Sequence, residues 1–233
     1  MNNYAFIFAR GGSQEIKNKN IRPFHNSSLL ELTIKFAKES KLFKEIFLSS
    51  DSEKILEIGK KNKINCILRP KKISTHRSHE LLAWKHAVRY VENKNKNKNF
   101  QLFISLPVTS PLRKKKHLEE GIRLLKKNLS SDLVIAYSKT NRHPEFNMIR
   151  VFKNKVIKTY LNKKKYCNRQ DAPKIYDLTT SFYISRPEYV KKTQNIFDGK
   201  VLGIEIPKIN SIDIDEYFDF KIAEYIMKKK FIL

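Results

Sequence analysis

The sequence predicts an α/β fold: a Rossmann-like, doubly wound, mostly parallel sheet with an inserted β-hairpin arm. Strand and helix patterns alternate from Tyr4 to Tyr137, the first apolar run stops at a glycine pair, and the alternation breaks between about 142 and 175 before resuming. A length of 233 residues, 40% hydrophobic, suits one substantial core, so a single domain over 1–233 is expected, with 142–175 as an arm.

Tyr4 to Ala9 is an apolar run ending at Arg10-Gly11-Gly12, the pattern of a buried strand that delivers a glycine loop. Ser28 and Glu31 have capping-box spacing, a hydroxyl for one orphan N–H and a carboxylate reaching back, and open a helical stretch to Phe43. Glu45–Ser49 reads as a strand, and Ser50 with Glu53 repeats the spacing before a helix through about Asn62. Ile64–Leu68 is a third strand, closed by Arg69-Pro70, and a helix follows from about His79 to Glu92. After the charged connector Lys94–Lys98 come a strand at Phe100–Leu106, a helix at Leu118–Leu129 and a strand at Leu133–Tyr137. Phe146–Phe152 and Val156–Leu161, split by Lys153-Asn154-Lys155, predict a hairpin outside the main sheet. Strands at Ser181–Ser185 and Val201–Ile206 and a helix at Tyr217–Met227 complete the chain.

No apolar run approaches the roughly 18 residues that cross a bilayer, and the first residues carry no secretory pattern, so a cytoplasmic protein without a membrane partner is expected. Cys66 and Cys167 stand far apart with no Cys/His spacing around them; they read as buried or incidental thiols, not a disulfide or zinc site. The six histidines show no metal-ligand spacing, and His86 on its apolar helix reads as packed. Forty-eight Lys and Arg against 23 Asp and Glu leave +25, which invites nucleic acid as a partner. The lysines are dispersed, as in 114–116, 163–165 and 228–230, and no basic helix collects them, so a solvated surface is the better reading.

In an open α/β sheet the ligand lies outside the carboxyl ends of the strands. The loop after the first strand, Ala9-Arg10-Gly11-Gly12-Ser13, offers glycine N–H groups and a guanidinium to phosphate oxygens, and Lys17, Lys19, Asn20 and Arg22 follow. A plain turn would also account for the two glycines. At the far end, Asp213 and Asp215 alternate with apolar residues, so in an extended segment both carboxylates share a face and suit Mg²⁺. A solvated acidic end, or Asp215 capping the last helix, fits that spacing equally well. Arg69, the run Thr109 to Arg113, and Arg169-Gln170 adjoin strands and supply further guanidinium and hydroxyl groups, each of which could be structural.

In order, Phe8-Ala9-Arg10-Gly11-Gly12-Ser13, Lys19-Asn20, Leu48-Ser49-Ser50-Asp51, Leu68-Arg69-Pro70, Thr109-Ser110-Pro111-Leu112-Arg113, Arg169-Gln170 and Ser211–Asp215 resemble the acylneuraminate cytidylyltransferases, or CMP-sialic acid synthetases, over nearly the whole chain. The resemblance implies an enzyme that makes a CMP-sugar from CTP and an acidic 3-deoxy-ulosonic sugar of sialic, legionaminic or pseudaminic type, with Mg²⁺, as a homodimer joined through the arm. It implies phosphate contacts from Ala9, Arg10, Gly11, Gly12, Ser13 and Lys19, and cytosine contacts from Asn20 and Arg69, with Ser78 also on the nucleotide. It implies metal binding by Asp213 and Asp215, with Arg10, Lys19 and Asp213 catalytic and Thr109, Arg113, Arg169, Gln170 and Tyr183 on the sugar side. Gln14-Glu15 replaces the family's Lys-Gly, His76-Arg77 stands at its Asp-Thr, and Asp177–Thr180 replaces its Arg-x-Asn-Gly. A nucleic-acid-binding protein on the same fold and a catalytically impaired relative are the rival readings.

Overall fold

The computed structural model describes residues 2–12, 15–94, 100–161 and 166–229. Its strands and helices run β1 (Asn3–Phe8), β2 (Pro23–Phe24), β3 (Ser27–Ser28), α1 (Leu29–Ser40), β4 (Glu45–Ser50), α2 (Glu53–Lys61), β5 (Asn65–Leu68), α3 (Glu80–Lys94) and β6 (Leu102–Ser105). They continue as α4 (Lys115–Lys127), β7 (Leu133–Lys139), β8 (Ile149–Val151), β9 (Ile157–Thr159), β10 (Tyr176–Ser185), α5 (Pro187–Lys192), β11 (Val201–Glu205) and α6 (Tyr217–Lys228). Seven strands form one sheet in the order β11-β7-β10-β6-β1-β4-β5. All its pairings are parallel except those of β10, which runs antiparallel between β6 and β7.

The period-two alternation of β1 explains why the sheet is covered on both faces. Ala5 and Ile7 face one cluster with Leu30 and Ile34 of α1, Leu118 and Leu125 of α4, and Phe220 of α6. Tyr4 and Phe6 face the other, with Trp84, Val88 and Val91 of α3 and Val190 of α5. Each such fully buried side chain contributes roughly 1.5–3 kcal/mol of transfer free energy. On the first face α4 lies close to β10, because Gly121 leaves a gap that a Cβ would close to 2.6 Å from Ile184 Cδ1.

Half of the predicted box forms at α1: Ser28 Oγ accepts from Glu31 N at 3.3 Å, but the Glu31 carboxylate reaches back to the Ser28 hydroxyl, at 2.7 Å, and not to its backbone N–H. The repeat at Ser50 does not. Ser50 Oγ accepts from Ser52 N instead, and α2 starts at Glu53 with no side-chain cap. The described residues of 142–175 leave the main sheet after β7, and among them β8 and β9 pair only with each other. Their turn places Asn154 and Lys155 at φ 60°, in the left-handed region that asparagine tolerates. Lys163–Lys165, Lys230 and most of the 94–98 connector lie outside the described residues. Cys66 is half-buried beside α2, whereas Cys167 is exposed. No described helix is long and apolar enough to cross a membrane.

Candidate active site

A cleft of about 460 Å³ opens beyond the carboxyl ends of the parallel strands β1, β5 and β6, and Arg10, Lys19, Asn20, Arg69, Thr109 and Asp215 line it. Ala9 is buried, and its N–H continues the sheet to Ser49 O at 3.1 Å. The loop that follows is pinned from below. Gly11 N donates to Asp51 Oδ1 at 3.0 Å, and a Cβ on Gly11 would stand 2.9 Å from Ser52 Cβ, so only glycine lets the chain pass this close to the start of α2. That N–H is therefore committed to Asp51 rather than presented to a phosphate, while Gly12 lies open, with nothing within 4 Å of its Cβ position. Arg10 Nη1 donates to Thr75 O at 3.3 Å, bridging the two walls of the cleft. Ser13 lies outside the described residues. Asn20 is also pinned: its Nδ2 donates to Arg10 O at 3.1 Å and its backbone carbonyl accepts from Leu30 N at 3.0 Å.

The chain's opposite end closes on this loop. Lys19 Nζ donates to Ile214 O at 2.5 Å and stands 3.7 Å from Asp215 Oδ1. The 210–214 segment is not a strand: it leaves a 3-10 turn at Lys208–Ser211 and is tied to the loop after β6 by Ile214 N to Thr109 O and Asn210 Nδ2 to Leu112 O, both 2.9 Å. Ile214 is fully buried between the two aspartates. Burial pushes the pKa of Asp213 up, the nearby Thr109 and Thr180 hydroxyls oppose that shift, and its Oδ1 is buried without a partner. Asp215 does not cap α6; Glu216 does, with Asp219 completing a capping box. One orphaned buried carboxylate oxygen beside a second carboxylate fits Mg²⁺, which takes one or two protein carboxylates and fills its shell from water and substrate. Among the described residues no group of three or more His, Cys, Asp or Glu converges.

Arg69 is buried at the cleft wall with Nε and Nη2 unpartnered; burial lowers its pKa, against the attraction of Asp51 and Glu80. Ser78 lines the same cleft, its Oγ 2.8 Å from Thr75 Oγ1. The remaining predicted sugar-side residues part company. Thr109 lines the cleft, but Arg113 lies beneath it, donating from Nη2 to Pro107 O and packing 5.6 Å from the Phe36 ring, its pKa lowered by burial to about 9. Tyr183 is buried 5.1 Å from Trp84 and faces an adjoining hollow with Ile196 and Phe197. Arg169 and Gln170 line a third hollow, with Lys139, His143 and Lys174, that shares no residue with the cleft. Asp51, which the sequence marked only as the end of the Leu48–Asp51 motif, anchors the loop, and Glu80, which sequence reasoning passed over, lines the cleft. Glu15, one of the departures after the glycine loop, does line the cleft.

A glycine loop after the first strand, facing cations and a carboxylate pair at the carboxyl edge of a mostly parallel sheet, defines an enzyme built to hold a nucleotide's phosphates. The chain belongs to the cytidylyltransferase family, which residues 4–232 match. It is 32% identical over 226 residues to the post-translational flagellin modification protein B of Campylobacter coli, covering 96% of this chain and 94% of that one. It is equally 32% identical, with the same coverage, to the CMP-N,N'-diacetyllegionaminic acid synthase of Campylobacter jejuni. Among solved structures, a CMP:2-keto-3-deoxy-manno-octonic acid synthetase complexed with CTP superposes with a TM-score of 0.72, covering 98% of this chain and 99% of that one at 10% identity.

Proposed function

We propose that this protein transfers CMP from CTP to the anomeric hydroxyl of an acidic nine-carbon 3-deoxy-ulosonic sugar, releasing pyrophosphate, as a Mg²⁺-dependent homodimer in the cytoplasm. The observation that carries the reading is the clasp of Lys19 on Ile214 O and Asp215, which brings the glycine loop and Asp215 from opposite ends of the chain to one cleft, with Asp213 buried behind its lining. Relatives named for legionaminic and pseudaminic acid match over nearly the full chain, which supports a sugar of that class.

The chain's own residues bind and orient. Arg10 and Lys19 place positive charge where the β- and γ-phosphates collect charge as pyrophosphate leaves, a contribution made by position and not by proton transfer. Arg69 offers its two unpartnered N–H groups to acceptors of the nucleotide. Asp213 and Asp215 would hold Mg²⁺, which when bound neutralises phosphate charge and polarises the reacting centre.

Pyrophosphate release is measured with CTP, Mg²⁺ and a panel of 3-deoxy-ulosonates, then repeated with Arg10→Ala and Asp213→Asn. Turnover is expected to fall by about 100-fold or more in each variant, the scale of losing one preorganised electrostatic contact. Unchanged turnover in both would sink the site assignment.

A further inference from the structure

We propose that Glu80 is the general base of the transfer, taking the proton of the sugar's attacking hydroxyl; this rests on the cytidylyltransferase reading above. As the hydroxyl oxygen bonds to the α-phosphorus of CTP, the bond from that phosphorus to the bridging oxygen breaks, pyrophosphate leaves with the electron pair, and the hydroxyl proton passes to the Glu80 carboxylate.

Glu80 is the first residue of α3 and lines the cleft. Its Oε1 accepts from Trp84 Nε1 at 3.0 Å, an i,i+4 contact along the helix. Trp84 is itself wedged against Phe103 at 5.3 Å and Tyr183 at 5.1 Å, so the core fixes the direction of the carboxylate. Among the described residues no other hydrogen bond reaches it, which leaves Oε2 free for a ligand. Glu80 is exposed to the cleft by surface area, yet the protein packed around its carboxylate desolvates it enough to push its pKa above the ordinary glutamate range. The charged and titratable groups around it are Arg69 after β5, His79 at the helix start, Asp213 on the C-terminal segment and Tyr183 on β10. Arg69 and His79 pull its pKa down and Asp213 pushes it up, but burial outweighs them all.

The other acceptors in the cleft are committed elsewhere or lie at its mouth. Asp215 pairs with Lys19, and Asp213 is buried behind the lining of the cleft. His79 Nδ1 accepts from Leu81 N at 3.3 Å, while Glu15 and His76 are exposed as Glu80 is but, among the described residues, have no hydrogen bond to fix the direction of their side chains. A carboxylate of raised proton affinity, anchored on a helix, is the form a base working near neutral pH takes.

Glu80→Gln keeps the shape and an amide oxygen for Trp84 but cannot take a proton. CMP-sugar formation is followed from about pH 5 to 9 at saturating CTP, Mg²⁺ and sugar, and kcat is expected to fall by about 100-fold, with the acid limb of the profile lost. KM for both substrates should stay within about threefold, because the step lost is chemical. A kcat within about threefold of the parent, a loss confined to KM, or a persisting acid limb overturns the proposal. A second readout needs no sugar: the ¹³C carboxyl resonance of Glu80, assigned through Glu80→Gln, should titrate above about 4.3. A midpoint at or below that value overturns the base. A parent protein that makes no CMP-sugar from any acid overturns the cytidylyltransferase reading instead, and the resonance still reports on Glu80.

Discussion

Arg69 carries a charge that the fold buries and leaves short of partners, with two of its guanidinium nitrogens unpaired. Holding such a group costs stability unless a ligand completes it. Arg69→Met is therefore expected to leave the thermal stability of the ligand-free protein unchanged or raised, within about 1 kcal/mol. The same change should weaken CTP binding by about tenfold or more, the value of one or two charge-assisted hydrogen bonds. Calorimetric melting and CTP titration on the same variant check both halves; a large drop in melting temperature with intact CTP affinity would make Arg69 purely structural. At this scale the sequence reads well where a residue type announces its chemistry beside a strand end. Arg10, Lys19, Arg69, Thr109 and Asp215 all reach the cleft. It reads badly where the role depends on direction: Arg113 follows a strand as plausibly as Arg69, but its guanidinium turns into the core. Glu80 passes for an ordinary first-turn acid favoured by the helix dipole, and nothing in its spacing says that it opens on a ligand site.

Among the elements, α6 carries the greatest leverage on the site, because it begins immediately after Asp215 and Glu216. Its Phe220 is 2% exposed and meets the Phe24 ring edge-on at 4.9 Å, which fastens the helix to the small β2–β3 ribbon. Phe220→Ala should cost about 3–5 kcal/mol of stability by opening a cavity there. Because α6 anchors the segment bearing the carboxylate pair, the Mg²⁺ concentration that half-saturates turnover should rise in the same variant. Denaturant unfolding and Mg²⁺ titration of activity measure the two effects; a stability loss with no change in metal requirement would uncouple helix from site. The alternating strands and helices up to β7 follow from apolar periodicity, and the structure has them within a few residues. The direction of β10 does not, since an apolar run reads the same forwards and backwards. The β2–β3 ribbon was also hidden, its two-residue strands being too short to show a period.

Over the whole molecule, the most conspicuous surface is apolar. On the β8–β9 hairpin Val151 is 68% exposed, Ile157 59% and Ile149 51%, with Phe152, Val156 and Tyr160 beside them. A ribbon of two short strands gains little stability alone in water, and so many exposed apolar side chains mark a surface meant to be covered. On the reading that this arm joins two copies, Val151→Asp with Ile157→Asp should convert a dimer to a monomer, because each buried charge opposes its counterpart across a two-fold axis. Light scattering at matched protein concentration decides this: a parent that is monomeric, or a variant that stays dimeric, removes the arm from the interface. The hairpin itself was legible, since the break in alternation and the Lys153–Lys155 turn are local signals. What covers it is not written in a local pattern.

The bond from Lys19 to Ile214 spans 195 positions of sequence. Synthesis from the amino end makes the first half of the cleft early, and the residues that close it follow only 195 positions later. A nascent chain stopped short of Ile214 can lay down β1 and its glycine loop, but lacks the carbonyl that seats Lys19 and the carboxylates that stand opposite. The two sides of the cleft thus meet only once synthesis has passed Asp215.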